Sequence, residues 1–162
     1  MPNSLINTLA NQNGLARISK TPGRTQRINY FDFGRFLLAD LPGYGYAKVS
    51  KTVLAHWQKE LGRYLLGRQS LLGVIHLMDA RHPLQDNDRQ MRDYLLSHGV
   101  QIVSVLTKID ELRQSDQAKA AKSVLDGTGA GPVMFSSRSG RGKRELLSLL
   151  ANGPTDDDDD DA

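Results

Sequence analysis

The sequence predicts a doubly wound α/β fold built on a mostly parallel sheet. Continuous apolar runs of strand length are typical of strands buried on both faces of such a sheet, and they occur at residues 36–40, 73–79, 100–107 and, more briefly, 133–136. Helical patterns lie between and after them, at residues 54–66, 87–97, 115–125 and 143–150. Strand and helix therefore alternate along the chain, as in α/β proteins.

One edge of the sheet is predicted to carry an antiparallel strand. Residues 26–33 (QRINYFDF) alternate polar and apolar side chains, and Gly34 then leads into the apolar run at 36–40. Alternation next to a turn glycine is typical of a hairpin with one solvated face.

The composition favours a single cytoplasmic domain. A chain of 162 residues is long enough to bury one core, and the absence of cysteine excludes disulfides and thiolate metal sites. No apolar run is long enough to span a bilayer, and the first residues lack the pattern of a secretory signal. We expect a soluble, cytoplasmic monomer with no membrane association.

The charge is unevenly distributed. Residues 156–161 are six consecutive aspartates, and without them 12 acidic residues face 21 Lys and Arg, so the rest of the chain carries a net charge of +9. This predicts a folded domain at 1–152 and a disordered acidic tail at 153–162. A basic body suits a polyanionic partner such as RNA, although a generally basic surface without that role is an equal alternative.

Candidate functional residues lie where the predicted strands end. Ligands of open α/β sheets bind beyond the carboxyl ends of the strands. Function is therefore expected near Asp40, Asp79, Thr107 and Ser136.

The third long strand ends in a TKxD motif, Thr107-Lys108-Ile109-Asp110. The carboxylate of Asp110 could accept two parallel hydrogen bonds from the N1–H and exocyclic amine of guanine, donors that adenine does not offer. The aliphatic stem of Lys108 could cover one face of the base while its ammonium stays solvated. The alternative is that Asp110 simply caps the following helix.

The strand at 36–40 ends in a DxxG motif, Asp40-Leu41-Pro42-Gly43. The aspartate of such a motif can reach a magnesium ion through water, and the glycine lets its backbone N–H approach a γ-phosphate. The alternative is an ordinary Pro-Gly turn.

Taken together, several stretches resemble the EngB (YihA/YsxC) family of bacterial ribosome-biogenesis GTP-binding proteins. The stretches are SKTPGRTQ at 19–26, DLPGYGYAKVSK at 40–51, DARHPLQDND at 79–88, LTKID at 106–110 and FSS at 135–137, and the resemblance extends over residues 4–150. It implies a three-layer P-loop GTPase (G-domain) fold that binds GTP or GDP with Mg²⁺. It also implies the large ribosomal subunit and its rRNA as partners, and a link to cell division and septum formation.

The resemblance also implies residue roles. The first switch matches Gly23, Arg24, Thr25, Gln26 and Arg27, with the Thr25 hydroxyl as the magnesium ligand. The second switch matches Asp40, Leu41, Pro42 and Gly43, and the guanine reader matches Thr107, Lys108, Ile109 and Asp110. Phe135, Ser136 and Ser137 match the loop whose backbone supports the base from its other side.

No catalytic residue is identified by this match. Tyr44 follows the DxxG glycine, where other GTPases place a glutamine, and a phenol does not orient an attacking water as a carboxamide does. We expect slow intrinsic hydrolysis.

The start of the sequence departs from the family pattern. Family members have a GxxxxGKS loop directly before the stretch that matches Ser4-Leu5-Ile6-Asn7. In this alignment Met1 takes the place of the second glycine, Pro2 that of the lysine, and Asn3 that of the magnesium-binding hydroxyl. The strand that precedes this loop, central in the sheet between the 36–40 and 73–79 strands, is also missing. This predicts weak triphosphate binding, negligible turnover and marginal stability. Three explanations stay open: a start codon assigned too far downstream, an inactive remnant, or a nucleotide-independent RNA- or ribosome-binding module.

Overall fold

The computed structural model describes residues 2–11, 28–41, 59, 61–65 and 67–152. The chain divides into two compact units, an N-terminal unit at Met1–Leu71 and a C-terminal unit at Leu72–Ala162. The predicted acidic tail at 153–162 lies outside the described residues, so it stays a prediction, as does the single domain at 1–152.

The N-terminal unit contains helix α1 (Pro2–Ala10), strands β1 (Asn29–Asp32) and β2 (Leu37–Asp40), and helical residues at 59 and 61–65. Helix α1 buries Leu5, Ile6 and Leu9. These positions recur at helical spacing and give the helix one apolar face. Helix α1 therefore includes the Ser4-Leu5-Ile6-Asn7 stretch.

The predicted hairpin is present, but among the described residues it forms a two-stranded sheet of its own and not an edge of the parallel sheet. Strand β1 pairs with β2 in antiparallel register from Asn29↔Asp40 to Asp32↔Leu37. The carboxylate of Asp32 accepts a hydrogen bond from the N–H of Gly34 at 2.7 Å, and Gly34 has φ +81°, a conformation that glycine adopts without strain. The rings of Phe33 and Phe36 stack across the turn at 5.1 Å.

An aromatic cluster joins the helical residues 61–65 to the hairpin. The guanidinium of Arg68 lies 4.4 Å from the ring centre of Tyr64 and donates a hydrogen bond to the hydroxyl of Tyr30 at 2.9 Å. Burial, together with the hydrogen bond to Tyr30, raises the pKa of Tyr64 to about 12. Cation–π contact and hydrogen bonding thus hold β1 against this helical segment.

The C-terminal unit alternates strands and helices as predicted. Its elements are β3 (Val74–Asp79), α2 (Asp86–Ser97), β4 (Ile102–Thr107), a short 3-10 helix (Ile109–Glu111), α3 (Gln114–Thr128), β5 (Val133–Met134) and α4 (Lys143–Asn152). The strands form a parallel sheet in the order β3-β4-β5. Among the described helices, none is long and apolar enough to cross a bilayer.

Strand β4 is covered on both faces, as its continuous apolar sequence predicts. Successive residues Ser104, Val105, Leu106 and Thr107 are all buried, although they point alternately to opposite faces. One face belongs to a core cluster with residues of β3 and α3: Met78, Ala80, Leu84, Leu106, Ile109, Ala120 and Val124. The burial of β4 fixes the position of its carboxyl end, where the loop with the TKxD motif begins.

The last strand is shorter than its predicted span of 133–136. The N–H of Phe135 still donates to the carbonyl of Leu106 at 2.8 Å, but the N–H of Ser136 donates to the carbonyl of Arg141 at 3.1 Å. The chain therefore leaves the sheet at Ser136, because the following loop folds back and offers a local acceptor.

Candidate functional site

Three loops leave the same edge of the C-terminal sheet. The parallel register places Asp79 opposite Thr107, and β5 pairs with β4 through Leu106↔Met134. The predicted positions Asp79, Thr107 and Ser136 are therefore neighbours in the fold, as the strand-end argument expects. Asp40 ends β2 in the other unit and is described by itself below.

The TKxD turn is anchored by its first and third residues. Thr107 is buried and its hydroxyl donates to the carbonyl of Met78 at 3.0 Å. Ile109 is 1% exposed, and its N–H donates to the carbonyl of Phe135 at 3.4 Å. Lys108, between them, has φ 59° and ψ 33°, and this left-handed residue turns the chain into the 3-10 helix that carries Asp110.

Asp110 presents an exposed carboxylate. Within the described part of the chain, no hydrogen bond or ion pair engages its side chain. The alternative of a helix cap is wrong, because α3 begins only at Gln114, its N-cap residue is Arg113, and no side chain caps it. A carboxylate with all its acceptor sites open can receive two parallel N–H donors from a ligand.

The ammonium of Lys108 is not solvated as expected. Its Nζ donates to Oδ2 of Asp79 at 2.9 Å, and its side chain is 24% exposed. The parallel register explains the difference, since Asp79 lies opposite Thr107, next to Lys108, where its carboxylate competes with water. The stem of Lys108 is thereby held beside the turn.

Asp79 is the centre of an ion-pair network. Arg81 donates from Nε to Oδ1 at 2.9 Å and from Nη2 to Oδ2 at 2.6 Å, and its Nη1 lies 2.8 Å from Oε2 of Glu111. Hydrogen bonds from Arg81, and then from Lys108, hold the pKa of the Asp79 carboxyl well below its usual range. Sequence reasoning missed Arg81 and Glu111, and the Asp-x-Arg spacing was the one available signal.

The third loop folds around Ser136, which is fully buried. Its hydroxyl oxygen accepts hydrogen bonds from the N–H groups of Arg138 at 3.2 Å and Ser139 at 3.1 Å. Its carbonyl accepts from the N–H of Gly140 at 2.9 Å. The hydroxyl therefore organises the loop, and a ligand at this edge would meet the exposed surface of Ser137 instead.

Gln117, which sequence reasoning also missed, connects two of the loops. Its Nε2 donates to the carbonyls of Ile109 at 2.8 Å and Leu112 at 3.0 Å, while its Oε1 accepts from Nη1 of Arg141 at 2.8 Å. One amide side chain thus bonds the TKxD turn to the 136–142 loop. Nothing local in the sequence around Gln117 indicates this contact.

Asp40, the last residue of β2, is a buried carboxylate at 6% exposure, and Leu41 beside it is half-buried. Burial raises the pKa of Asp40, the positive charge of the N-terminal amine opposes this shift, and no described residue donates a hydrogen bond to the Asp40 carboxylate. A desolvated carboxylate of this kind fits a cation neighbour such as Mg²⁺, which prefers hard oxygen ligands. Within the described ranges no cluster of three potential metal ligands occurs.

The remaining predicted site residues lie outside the described part of the chain. They are Gly23, Arg24, Thr25, Gln26, Arg27, Pro42 and Gly43. The first switch, the magnesium ligand and the second half of DxxG therefore stay predictions.

Comparison with known proteins decides the family. Residues 3–108 match the family model described as "50S ribosome-binding GTPase". A protein named "Probable GTP-binding protein EngB" from Laribacter hongkongensis is 42% identical over 155 residues, which is 91% of this chain and 70% of that relative. The chain belongs to the EngB family of GTP-binding proteins.

A second EngB relative agrees with this assignment. The protein of the same name from Mannheimia succiniciproducens is 50% identical over 122 residues, 75% of this chain and 60% of that relative. The chain thus spans 60% to 70% of the length of these EngB relatives.

Two solved structures show the fold. A crystal structure of a probable GTP-binding protein EngB superimposes with a TM-score of 0.72 at 16% identity, covering 93% of this chain and 90% of that one. Era, solved in complex with MgGDPNP and 16S ribosomal RNA, gives a TM-score of 0.73 at 18% identity over 93% of this chain and 52% of Era. The predicted GTPase-like α/β fold, a parallel sheet with a small antiparallel pair, is confirmed.

Proposed function

We propose that this EngB-family chain is a cytoplasmic GTP-binding protein of large-ribosomal-subunit assembly, in which Asp110 selects guanine. The observation that carries the proposal is the state of Asp110: an exposed carboxylate without a partner among the described residues, on a turn fixed by buried neighbours. An exposed carboxylate of this kind can exchange its water for a ligand, whereas Asp79 is already paired with Arg81.

Guanine recognition would use two of the three loops at the sheet edge. The carboxylate of Asp110 would accept the N1–H and exocyclic amine of the base, and the stem of Lys108 would cover one face. The backbone of Phe135, Ser136 and Ser137 would support the other side. The bond from Ile109 to Phe135 keeps these two loops adjacent before any ligand arrives, so little ordering is needed on binding.

Magnesium would be held by the hydroxyl of Thr25 and, through water, by Asp40. The ion supplies charge neutralisation at the β- and γ-phosphates when bound. The backbone N–H of Gly43 would approach the γ-phosphate, as a switch loop does. The buried carboxylate of Asp40 supports this role, because a cation close to it would offset the desolvation that raises its pKa.

The 162-residue polypeptide is proposed to bind triphosphate weakly and to turn it over negligibly. Pro2 offers neither an N–H nor a positive charge where the family has the loop lysine, and Asn3 and Met1 replace the hydroxyl and the glycine. Each charge-assisted hydrogen bond that is lost costs about 1.5 to 3 kcal/mol. Several such losses lower the affinity by several orders of magnitude.

The proposed partner is the large ribosomal subunit and its rRNA, with the chain acting as a monomer. The family description supports the ribosome as partner, and the basic body supports an RNA contact. The link to cell division and septum formation is proposed from resemblance.

The second candidate is a nucleotide-independent RNA- or ribosome-binding module, which the same basic body favours. Co-sedimentation of the chain with purified 50S subunits in GTP, in GDP and without nucleotide separates the two. Binding that is indifferent to nucleotide favours the module, and binding that depends on GTP favours the switch.

The nucleotide proposal is tested by titrating a fluorescent guanine nucleotide into this chain and into a version that carries the family's first strand and GxxxxGKS loop. The restored version should bind several orders of magnitude more tightly. Equal affinity of the two would contradict the account of Met1, Pro2 and Asn3.

A further inference from the structure

The 138–144 segment concentrates positive charge next to the candidate guanine site. We call this segment the basic loop. It contains no acidic residue and four basic ones: Arg138, Arg141, Lys143 and Arg144. The three arginines are exposed. The segment runs from the turn around Ser136 into the first turn of α4.

The arginines of the basic loop are not neutralised. Considering only residues the structure describes, Arg138, Arg141 and Arg144 have no carboxylate partner. Four other cations of the C-terminal unit do have one: Arg81 and Lys108 with Asp79, Lys119 with Asp116, and Lys122 with Asp126. Arg89 and Arg92 donate to backbone carbonyls instead, and Arg113 stands alone at the start of α3 without a carboxylate partner among the described residues. The basic loop is therefore the described segment of this unit where three exposed arginines without a carboxylate partner lie close together in sequence.

Helix stability does not explain this arrangement. Cations in the first turn of a helix oppose its macrodipole, and α4 begins with Lys143 and Arg144 before Glu145. The hydroxyl of Ser136 and the left-handed glycines Gly140 and Gly142 hold the loop in a defined shape. A positive surface held in shape at a local electrostatic cost is typical of a binding surface.

We propose that the basic loop binds the phosphate backbone of RNA. Planar guanidinium groups on a fixed loop can each pair with phosphate oxygens through two donors, which favours a polyphosphate backbone over single anions. That the RNA is ribosomal rests on the proposed function, but phosphate binding by this loop does not. Arg141 donates a hydrogen bond to Gln117, and Gln117 donates one to the carbonyl of Ile109. These two bonds connect the proposed RNA surface to the TKxD turn.

The test measures binding of the full chain to a fluorescein-labelled RNA hairpin and to purified 50S subunits. The variant R138Q/R141Q/R144Q is compared with R113Q/K119Q/K122Q, which removes the same charge from exposed positions at the start and along the face of α3. Three lost phosphate contacts should weaken binding about a hundredfold at about 0.1 M salt and make the slope of log K against log salt shallower by about 2. The α3 variant should bind close to wild type.

Two further variants separate binding from folding. R138K/R141K/R144K keeps the charge but loses the two-donor pairing, so its affinity should lie between those of wild type and R138Q/R141Q/R144Q. R138Q/R144Q leaves the Arg141–Gln117 bond in place and should still weaken binding about twentyfold. Unchanged far-UV circular dichroism of each variant shows that the fold is intact.

Equal losses in the two triple variants would overturn the proposal. It would also be overturned if R138Q/R141Q/R144Q bound RNA as tightly as the wild type. The assay contains no nucleotide. Failure of guanine binding would therefore defeat the proposed function alone, and normal RNA binding by the loop variant would defeat this inference alone.

Discussion

Two carboxylates at the same sheet edge are used in opposite ways. Asp79 accepts hydrogen bonds from Arg81 and Lys108, and its low pKa keeps it charged at any physiological pH. Asp110, three positions beyond the strand residue paired with Asp79, accepts none from the described residues. The first carboxylate is thus part of the structure, and the second is available to a ligand.

Substitution of Asp110 by asparagine is expected to change base preference. Two hydrogen bonds to a charged acceptor weaken, so the affinity for GDP should fall about a hundredfold. Xanthine has an acceptor where guanine has its exocyclic amine, so the carboxamide introduced by D110N matches XDP. Ligand-observed NMR with GDP, XDP and ADP measures the preference, with Asp116→Asn as the control. A variant that still prefers GDP would contradict the assignment of Asp110.

His76 makes the stability of the C-terminal unit depend on pH. Its side chain is 2% exposed and its Nε2 lies 3.8 Å from Oδ1 of Asp88, yet burial lowers its pKa. The unfolded chain takes up a proton near pH 6.5, before the folded one does. Stability is therefore full above about pH 6.5 and falls, by up to about 1.4 kcal/mol per pH unit, as pH drops toward the lowered folded pKa.

The substitution H76Q is expected to flatten the stability profile between pH 7 and pH 5. Urea unfolding at both pH values measures this change, and His82→Gln, at an exposed position, is the control. Asp79 does not interfere in this window. Its depressed pKa adds stability that is lost only below the unfolded value of about 3.9. An unchanged difference between pH 7 and pH 5 in H76Q would contradict the role of His76.

Among the elements, the strands could be predicted from the sequence and the loop contacts could not. Continuous apolar runs predict β3 and β4 to within two residues, because β4 is buried on both faces at its carboxyl end and β3 is buried on one face and half-buried on the other. The end of β5 was missed, because the competing acceptor for Ser136 is the carbonyl of Arg141, a residue brought back only by the folded loop. Gln117 and Glu111 were missed for the same reason, since their partners are distant in sequence.

Two glycines of the 136–142 loop give a matched pair of variants. Gly140 and Gly142 both have positive φ, +74° and +79°, so an alanine at either position costs about 1 kcal/mol of strain. A Cβ at Gly140 meets nothing within 4 Å, whereas one at Gly142 overlaps the carbonyl of Met134. Gly142→Ala should therefore destabilise the chain by about 3 kcal/mol or more, against about 1 for Gly140→Ala. Thermal unfolding measures both, and equal losses would contradict the overlap.

Across the whole molecule, charge is divided between the body and the run at 156–161. The six aspartates lower the net charge from +9 to +3. Net charge governs long-range attraction to polyanions and has little effect on which fold forms. The sequence alone was sufficient for this conclusion, whereas the location of un-neutralised cations on the basic loop required the structure.

Replacing residues 156–161 by serine is expected to strengthen retention of the chain on a heparin column at low salt. The thermal midpoint should stay within about 2 °C, since charge of this kind contributes little to stability at a surface. At about 1 M salt, where screening acts within about 3 Å, the difference should vanish. Retention unaffected by the substitution would show that the run does not screen the body.

At position 108, thermal stability and the proposed nucleotide recognition favour different residues. A lysine at φ 59° is strained by about 1 kcal/mol relative to glycine, and asparagine tolerates this conformation better than most other residues. A screen for heat-resistant variants would therefore enrich glycine or asparagine at this position, and every such winner would lose the ammonium held by Asp79 and the stem offered to the base. Laboratory selection for thermal stability alone would thus weaken the proposed nucleotide recognition.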